Sequence, residues 1–224
     1  PTATPTATPT PTPTAGTGIT TVGATTDGSA ATTQVRLTKP AGTAAGDLLV
    51  ASFSADLTPD VTAPSGWTSF VPVLRPGYNN VSLFGYYRVA TSADAGTTNW
   101  TWTLSASVKW NGGMSAYRGV DASTPFDTAV STGLTHDFGA TSVTVPGVTT
   151  TRAGSMIIGG YGADGAAVTV EPPTGFTEVW ESAGQQIAEQ ANRLQSALGA
   201  TGDQSWTLNE GRAQAAWLVA LRPA

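Results

Sequence analysis

The chain has 224 residues, a formal charge of −5, no cysteine and only 11% charged residues, with Lys39 and Lys109 as its two lysines. So sparse and acidic a surface argues against nucleic acid as a partner, because phosphates need clustered cations. The lack of thiols excludes cysteine nucleophiles and cysteine-bound zinc, and no apolar run approaches the ~18 residues of a membrane-spanning helix.

Residues 1–16, PTATPTATPTPTPTAG, hold no charge and no large apolar side chain, so they have nothing to bury against the entropy of ordering. Their prolines fix φ and remove amide donors, which favours an extended polyproline II arm; 14 residues at ~3.1 Å each span about 40 Å. The Pro/Thr composition is that of an O-glycosylated stalk, with Thr2, Thr4, Thr6, Thr8, Thr10, Thr12 and Thr14 as the acceptor hydroxyls. The chain starts at Pro1 without a methionine or signal peptide, as expected of a mature or trimmed polypeptide.

From residue 17 onward the pattern is β. Short runs rich in β-branched and aromatic residues follow one another: TQVRLT, DLLVASFSA, VSLFGYYRVA, NWTWTLSA, TSVTVPGVTT, SMIIGGYGA and AAWLVALRP, bounded by Gly, Pro, Asn and Asp. Only ESAGQQIAEQANRLQSALGA tempts a helical reading, through Ile187, Ala191, Leu194 and Leu198. Most of it is read as strand, because its counterpart earlier in the chain is plainly β.

That counterpart exists because the chain repeats itself. AGDLLVASFSAD (residues 45–56) parallels AGSMIIGGYGAD (153–164), and the same offset matches Val22 with Val130, Thr33 with Thr141 and Val35 with Val143. Further on, PSGWT parallels PTGFT, YYR ending at Arg88 parallels ANR ending at Arg193, WTL at Trp102 parallels WTL at Trp206, and Arg118 parallels Arg222. Two copies, about 18–119 and 126–222, follow. Their strands are too many for one twisted sheet, so the expected fold is all-β: a single jelly-roll-like antiparallel β-sandwich over 17–224, with its halves related by an approximate two-fold and sharing one interior.

Candidate sites are sorted by the same duplication. Trp102 with Trp206, and Trp67 with Phe176, are expected in the core. Trp100, Trp110 and Trp180 have no aromatic counterpart; Trp110 and Trp180, with Tyr78, are the candidates for stacking on a sugar ring, Trp110 in the loop-like context VKWNGGMS. Asp56, Asp164, Arg88, Arg193, Arg118 and Arg222 recur between copies, which suggests ion pairs or turn locks. No metal or other cofactor is expected; calcium, through Asp121, Asp127, Asp137 or Asp164, is the alternative, although no Asp-x-Asp cluster supports it.

Catalysis has little to stand on. One histidine, His136, and no Gly-x-Ser-x-Gly elbow are present. The five glutamates, Glu171, Glu178, Glu181, Glu189 and Glu210, all fall in the second copy and are read as solvated charge. Asn80 and Asn99 head N-x-Ser/Thr triplets.

The string AGDLLVASFSAD, PSGWT, YYRVA, WTWTL, SAYRGVD and PFD, behind a Pro/Thr stalk, resembles the concanavalin-like β-sandwich modules of bacterial secreted and surface proteins. The resemblance implies a jelly roll at an extracellular or cell-surface location and no catalytic residues. The expected function is a structural or assembly module whose arm docks on a neighbouring copy to build a filament or array, with residues 19–26 as either its own first strand or a donated one. The alternative is a carbohydrate-binding module that holds a polysaccharide.

Overall fold

The computed structural model describes residues 18–224 except 79 and 166–168, with the side chain of Tyr78 also outside the description. The proposed arm, with its seven threonines, therefore lies outside the described residues.

The chain folds as a jelly-roll-like antiparallel β-sandwich made of two diverged repeats, and no α-helix occurs among the described residues. The first copy supplies β1 (Thr20–Thr38), β2 (Leu48–Asp56), β3 (Val61–Thr62), β4 (Thr68–Ser69), β5 (Val81–Val89) and β6 (Asn99–Arg118). The second supplies β7 (Ser131–Thr135), β8 (Ser142–Val145), β9 (Thr149–Thr150), β10 (Ser155–Ala163), β11 (Val170–Glu171), β12 (Thr177–Ala183), β13 (Ile187–Gln195), β14 (Gly199–Ala200), β15 (Gln204–Leu208) and β16 (Gln214–Leu221). The helix-like segment is β12 through β14, as its β counterpart required.

Strand order exposes the duplication directly. One sheet runs β1-β6-β2-β5-β4 and the other β7-β16-β10-β13-β12, the same order of equivalents. The long strands β1 and β6 continue past register shifts, so that Gln34–Thr38 still pairs with Asn99–Thr103 and β3 joins at Leu104. In the second copy these continuations are separate strands, which form the sheet β11-β15-β8. Residues 20–26 pair with the chain's own β6, so this stretch is the protein's own first strand.

The expected single interior is replaced by three. Leu49, Ala51 and Phe53 of β2 pack in a cluster formed by the first copy alone, and Ile157, Tyr161 and Trp206 in one formed by the second. A third lies between the two large sheets, where Leu48, Val50, Leu83 and Tyr117 meet Met156, Ile158, Trp217 and Val219. The physical reason is visible in β2 and β10, whose central residues are buried on both faces. A strand that is apolar throughout needs a layer on each side. The equivalents β2 and β10 touch each other, as an approximate two-fold between the sheets demands.

The layer between the copies is apolar at one end and polar at the other. At the polar end Asn111 of β6 donates from Nδ2 to Ser182 Oγ at 2.8 Å, and its Oδ1 accepts the Gln185 and Gln186 amides at 2.8 and 2.9 Å. Gln190 accepts from Ser115 Oγ and Trp180 Nε1, both at 2.8 Å. These two buried groups of hydrogen bonds fix how the copies dock, because a shift leaves donors unpaired.

Candidate functional site

The proposed sugar platform is not on the surface. Trp110 is 2% exposed and Trp180 5%, which withdraws both from stacking on a ligand ring; the Tyr78 side chain falls outside the described residues. Trp110 lies within β6, where the Gly-Gly beside it is strand rather than loop. An added Cβ on Gly112 would sit 2.4 Å from Phe53 Cβ, and one on Gly113 would sit 2.5 Å from the Trp180 ring. Gly112 thus allows close approach of the β2 backbone, and Gly113 clears space for the Trp180 indole. All the other tryptophans are buried as well, including Trp100, which lacks an aromatic counterpart in the second copy, and Trp217, which the sequence did not single out.

The arginines do form locks, with acids other than those the repeat singled out. Arg88 grips Asp94 through Nε and Nη2 at 2.8–3.2 Å, and Arg118 grips Asp47 through Nε and Nη2 at 2.9 and 2.7 Å. Arg222 reaches Asp121 at 3.6 Å. Arg193, the equivalent of Arg88, lies 5.0 Å from the centre of the Phe176 ring and has no acid partner among the described residues. Asp56 accepts the Leu57 amide at 3.0 Å where the backbone turns through φ 61, a turn lock. Asp164 accepts weakly from Gln186 Nε2 at 3.4 Å. The recurring arginines therefore serve turns and strand ends, and their partners are acids that occur in the first copy or the connection.

The aspartates suggested for calcium are dispersed and internally occupied. Asp127 accepts from the Thr151 amide and hydroxyl, both at 2.6 Å. Burial pushes its carboxyl up, but these bonds, with those from Arg152 N–H and Ser155, outweigh it and hold the group below the ordinary value. Asp121 caps the Ser123 and Thr124 amides, which lower it further than its nearby arginines do. Asp137 accepts the Gly139 amide. Among the described residues no group of three potential metal ligands comes together.

One ionisable group departs from all of these. Glu189 on β13 is fully buried, and neither carboxyl oxygen has a hydrogen-bond partner among the described residues. Its ladder neighbours are Tyr161 on β10 and Glu181 on β12. Burial holds its pKa well above the ordinary glutamate value of 4.5; the nearby Trp206 indole N–H tempers that shift, and the charges of Glu178 and Glu181 add to it. Trp206 Nε1 lies outside hydrogen-bonding geometry and is itself unpartnered.

Around Glu189, Tyr161 donates its hydroxyl to Gln214 Oε1 at 2.9 Å, and Gln214 Nε2 donates to Ala140 O at 2.6 Å. Burial raises the Tyr161 phenol, with the Glu189 charge adding and Arg212 opposing. Glu181 Oε2 accepts the Val170 amide at 2.9 Å and so ties β11 to β12. Glu178, at the margin, is raised by desolvation and by the charges of Glu181 and Glu171. The reading of these glutamates as uniformly solvated is thus corrected at Glu189.

A signal for this was present in the repeat. Register aligns Phe53 with Tyr161, Phe84 with Glu189 and Trp110 with Gln214. Where the first copy stacks Phe53 on Phe84 at 5.0 Å, the second holds a phenol beside a carboxyl. Glu210 pairs at the surface with Arg212 at 2.7 Å, and His136 Nδ1 accepts the Gly77 amide at 3.1 Å. No helix among the described residues is long and apolar enough to cross a membrane. No family model, no curated protein and no solved structure matches the chain.

Proposed function

We propose that the chain is an extracellular structural module, assembled into a filament or cell-surface array through its Pro/Thr arm. One observation carries the reading. The groups best suited to gripping a ligand, the seven indoles and the arginine forks of Arg88 and Arg118, are engaged in holding the fold. The burial of Trp110 and Trp180 leaves the sugar-binding alternative without the two indoles on which it rested. A hydroxyl-rich, cysteine-free chain behind a Pro/Thr stalk fits a secreted location.

The test is removal of residues 1–16. Light scattering and negative-stain microscopy on the full chain should show assemblies, and the truncated chain should be a folded monomer. Assemblies that persist after truncation, or a full chain that is monomeric at high concentration, overturn the proposal.

A further inference from the structure

Glu189 stands where the first copy has Phe84, so the fold itself has no need of a carboxyl there. A carboxylate in that place makes no hydrogen bond among the described residues, the nearby Trp206 indole N–H lying outside bonding geometry, and it faces a second acid, Glu181, directly across the ladder. Like charges in opposed positions repel, and an unpaired buried charge is strongly disfavoured. We infer that Glu189 is a proton-controlled latch: protonated, it keeps the β11–β12 margin of the second copy closed, and on losing its proton it drives that margin open.

The groups that face it are few. On β12 stand Glu181 and Glu178, on β11 Glu171, on β10 Tyr161, and before β16 Arg212, which bears on Tyr161. Arg193 shares the strand and the face of Glu189 but is held over the Phe176 ring. Trp206 of β15 offers an N–H and no charge. The margin can open because it is slight. β11 is two residues long, joined to β15 through Val170 and Glu171 and to β12 through the Glu181 side chain. β12 ends its sheet and carries a bulge between Glu178 and Trp180, which separates its first residues from the stretch that Trp180 and Ser182 hold in the polar layer. The first copy has no carboxyl in the matching place and stays shut.

The direction follows from linkage. A folded pKa above the unfolded one means that the unfolded chain gives up its proton first as pH rises. Stability is therefore greatest below the ordinary glutamate value of 4.5 and falls from there toward the folded pKa, the unfolding constant growing by up to about tenfold per pH unit for one proton.

The test is urea unfolding of the full chain and of Glu189→Gln between about pH 4.5 and 8.5. Hydrogen exchange of the native proteins over the same range, corrected for intrinsic rate, accompanies it. The ratio of the wild-type to the variant unfolding constant should climb with pH. Exchange in the wild type should rise in β11, β12 and β13 but not in β2 or β5, and the variant should lose that rise. A ratio that does not change with pH, or faster exchange spread evenly over both copies, overturns the inference. Should Glu189→Gln fail to fold, Glu181→Gln serves. It keeps an acceptor for the Val170 amide while removing the opposed charge, so the wild-type fall should end at a lower pH; an unchanged profile overturns the latch.

Discussion

Replacing Gln190 with methionine removes the hub of the inter-copy network while keeping side-chain length and most of its volume. In the native protein Oε1 accepts from Ser115 Oγ and from Trp180 Nε1 at 2.8 Å each, and Nε2 donates to Tyr117 Oη at 3.3 Å. After substitution the Ser115 hydroxyl can rotate to another acceptor, but the indole N–H of Trp180, 5% exposed, cannot. One orphaned donor costs about 1–3 kcal/mol, and the loss of a second ordinary bond about 1 kcal/mol, so Gln190→Met should lower stability by about 2–4 kcal/mol. With a urea slope near 3 kcal/mol/M, the midpoint should fall by about 1 M. Trp180→Phe supplies the decisive comparison. Alone it should destabilise, but in the Gln190→Met background it also removes the orphaned N–H and should cost at least 1 kcal/mol less. A single substitution that costs under about 0.5 kcal/mol would refute the claim that Gln190 anchors this layer, and a cycle with no coupling would refute the pairing of its Oε1 with the Trp180 N–H.

Three further substitutions probe other parts of the fold. Gly159→Ala places a methyl 2.5 Å from Trp206 Cη2, which should cost about 1–3 kcal/mol by thermal or urea unfolding. Gly96→Ala, with nothing within 4 Å, should stay within about 0.5 kcal/mol of wild type. Asp94→Asn breaks the buried fork with Arg88 and should cost about 3 kcal/mol at neutral pH. Burial pushes the Asp94 carboxyl up, but the Thr91 amide, Arg88 and the Thr91 hydroxyl together hold it below 3.8. Its contribution is therefore present above that value and lost as pH falls through the lower folded pKa. Urea midpoints of wild type and variant should converge in acid, and parallel profiles would contradict the assignment.

The duplication made the strands and their order legible, because a β reading secure in one copy settled the doubtful segment in the other. Burial on both faces was legible in principle. DLLVASFSA and SMIIGGYGA run apolar or small throughout, the mark of a sheet covered on each side, and three interiors follow where one was expected. The tryptophans were misread because lack of an aromatic counterpart was taken as freedom. Trp110 faces inward at the place where the second copy puts Gln214, and Trp180 fills space that Gly113 leaves open. Such an arrangement depends on pairs distant in sequence, which local context does not reveal. The same limit applies to the arginines. Asp47 lies 71 residues from Arg118, and only the closed sheet brings the two together.

Unequal interiors give the two copies different work. In the first, Phe53, Phe84, Tyr86, Trp67, Trp100 and Trp102 meet in a mesh of rings with centroids 4.9–6.0 Å apart, each contact contributing about 0.5–1.5 kcal/mol beyond the area it buries. The matching interior of the second copy holds one ring pair among its described residues, Phe176 with Trp206 at 6.4 Å, and in place of Phe53, Phe84, Tyr86 and Trp100 has Tyr161, Glu189, Ala191 and Gln204. Rings pack without regard to proton activity, whereas a carboxyl that must stay neutral ties its half of the molecule to pH. The polar layer through Gln190 and Asn111 fastens this second copy to the first. All five glutamates lie in the second copy, and Glu189 alone of them is buried in its interior, so the dependence on pH enters through that one position.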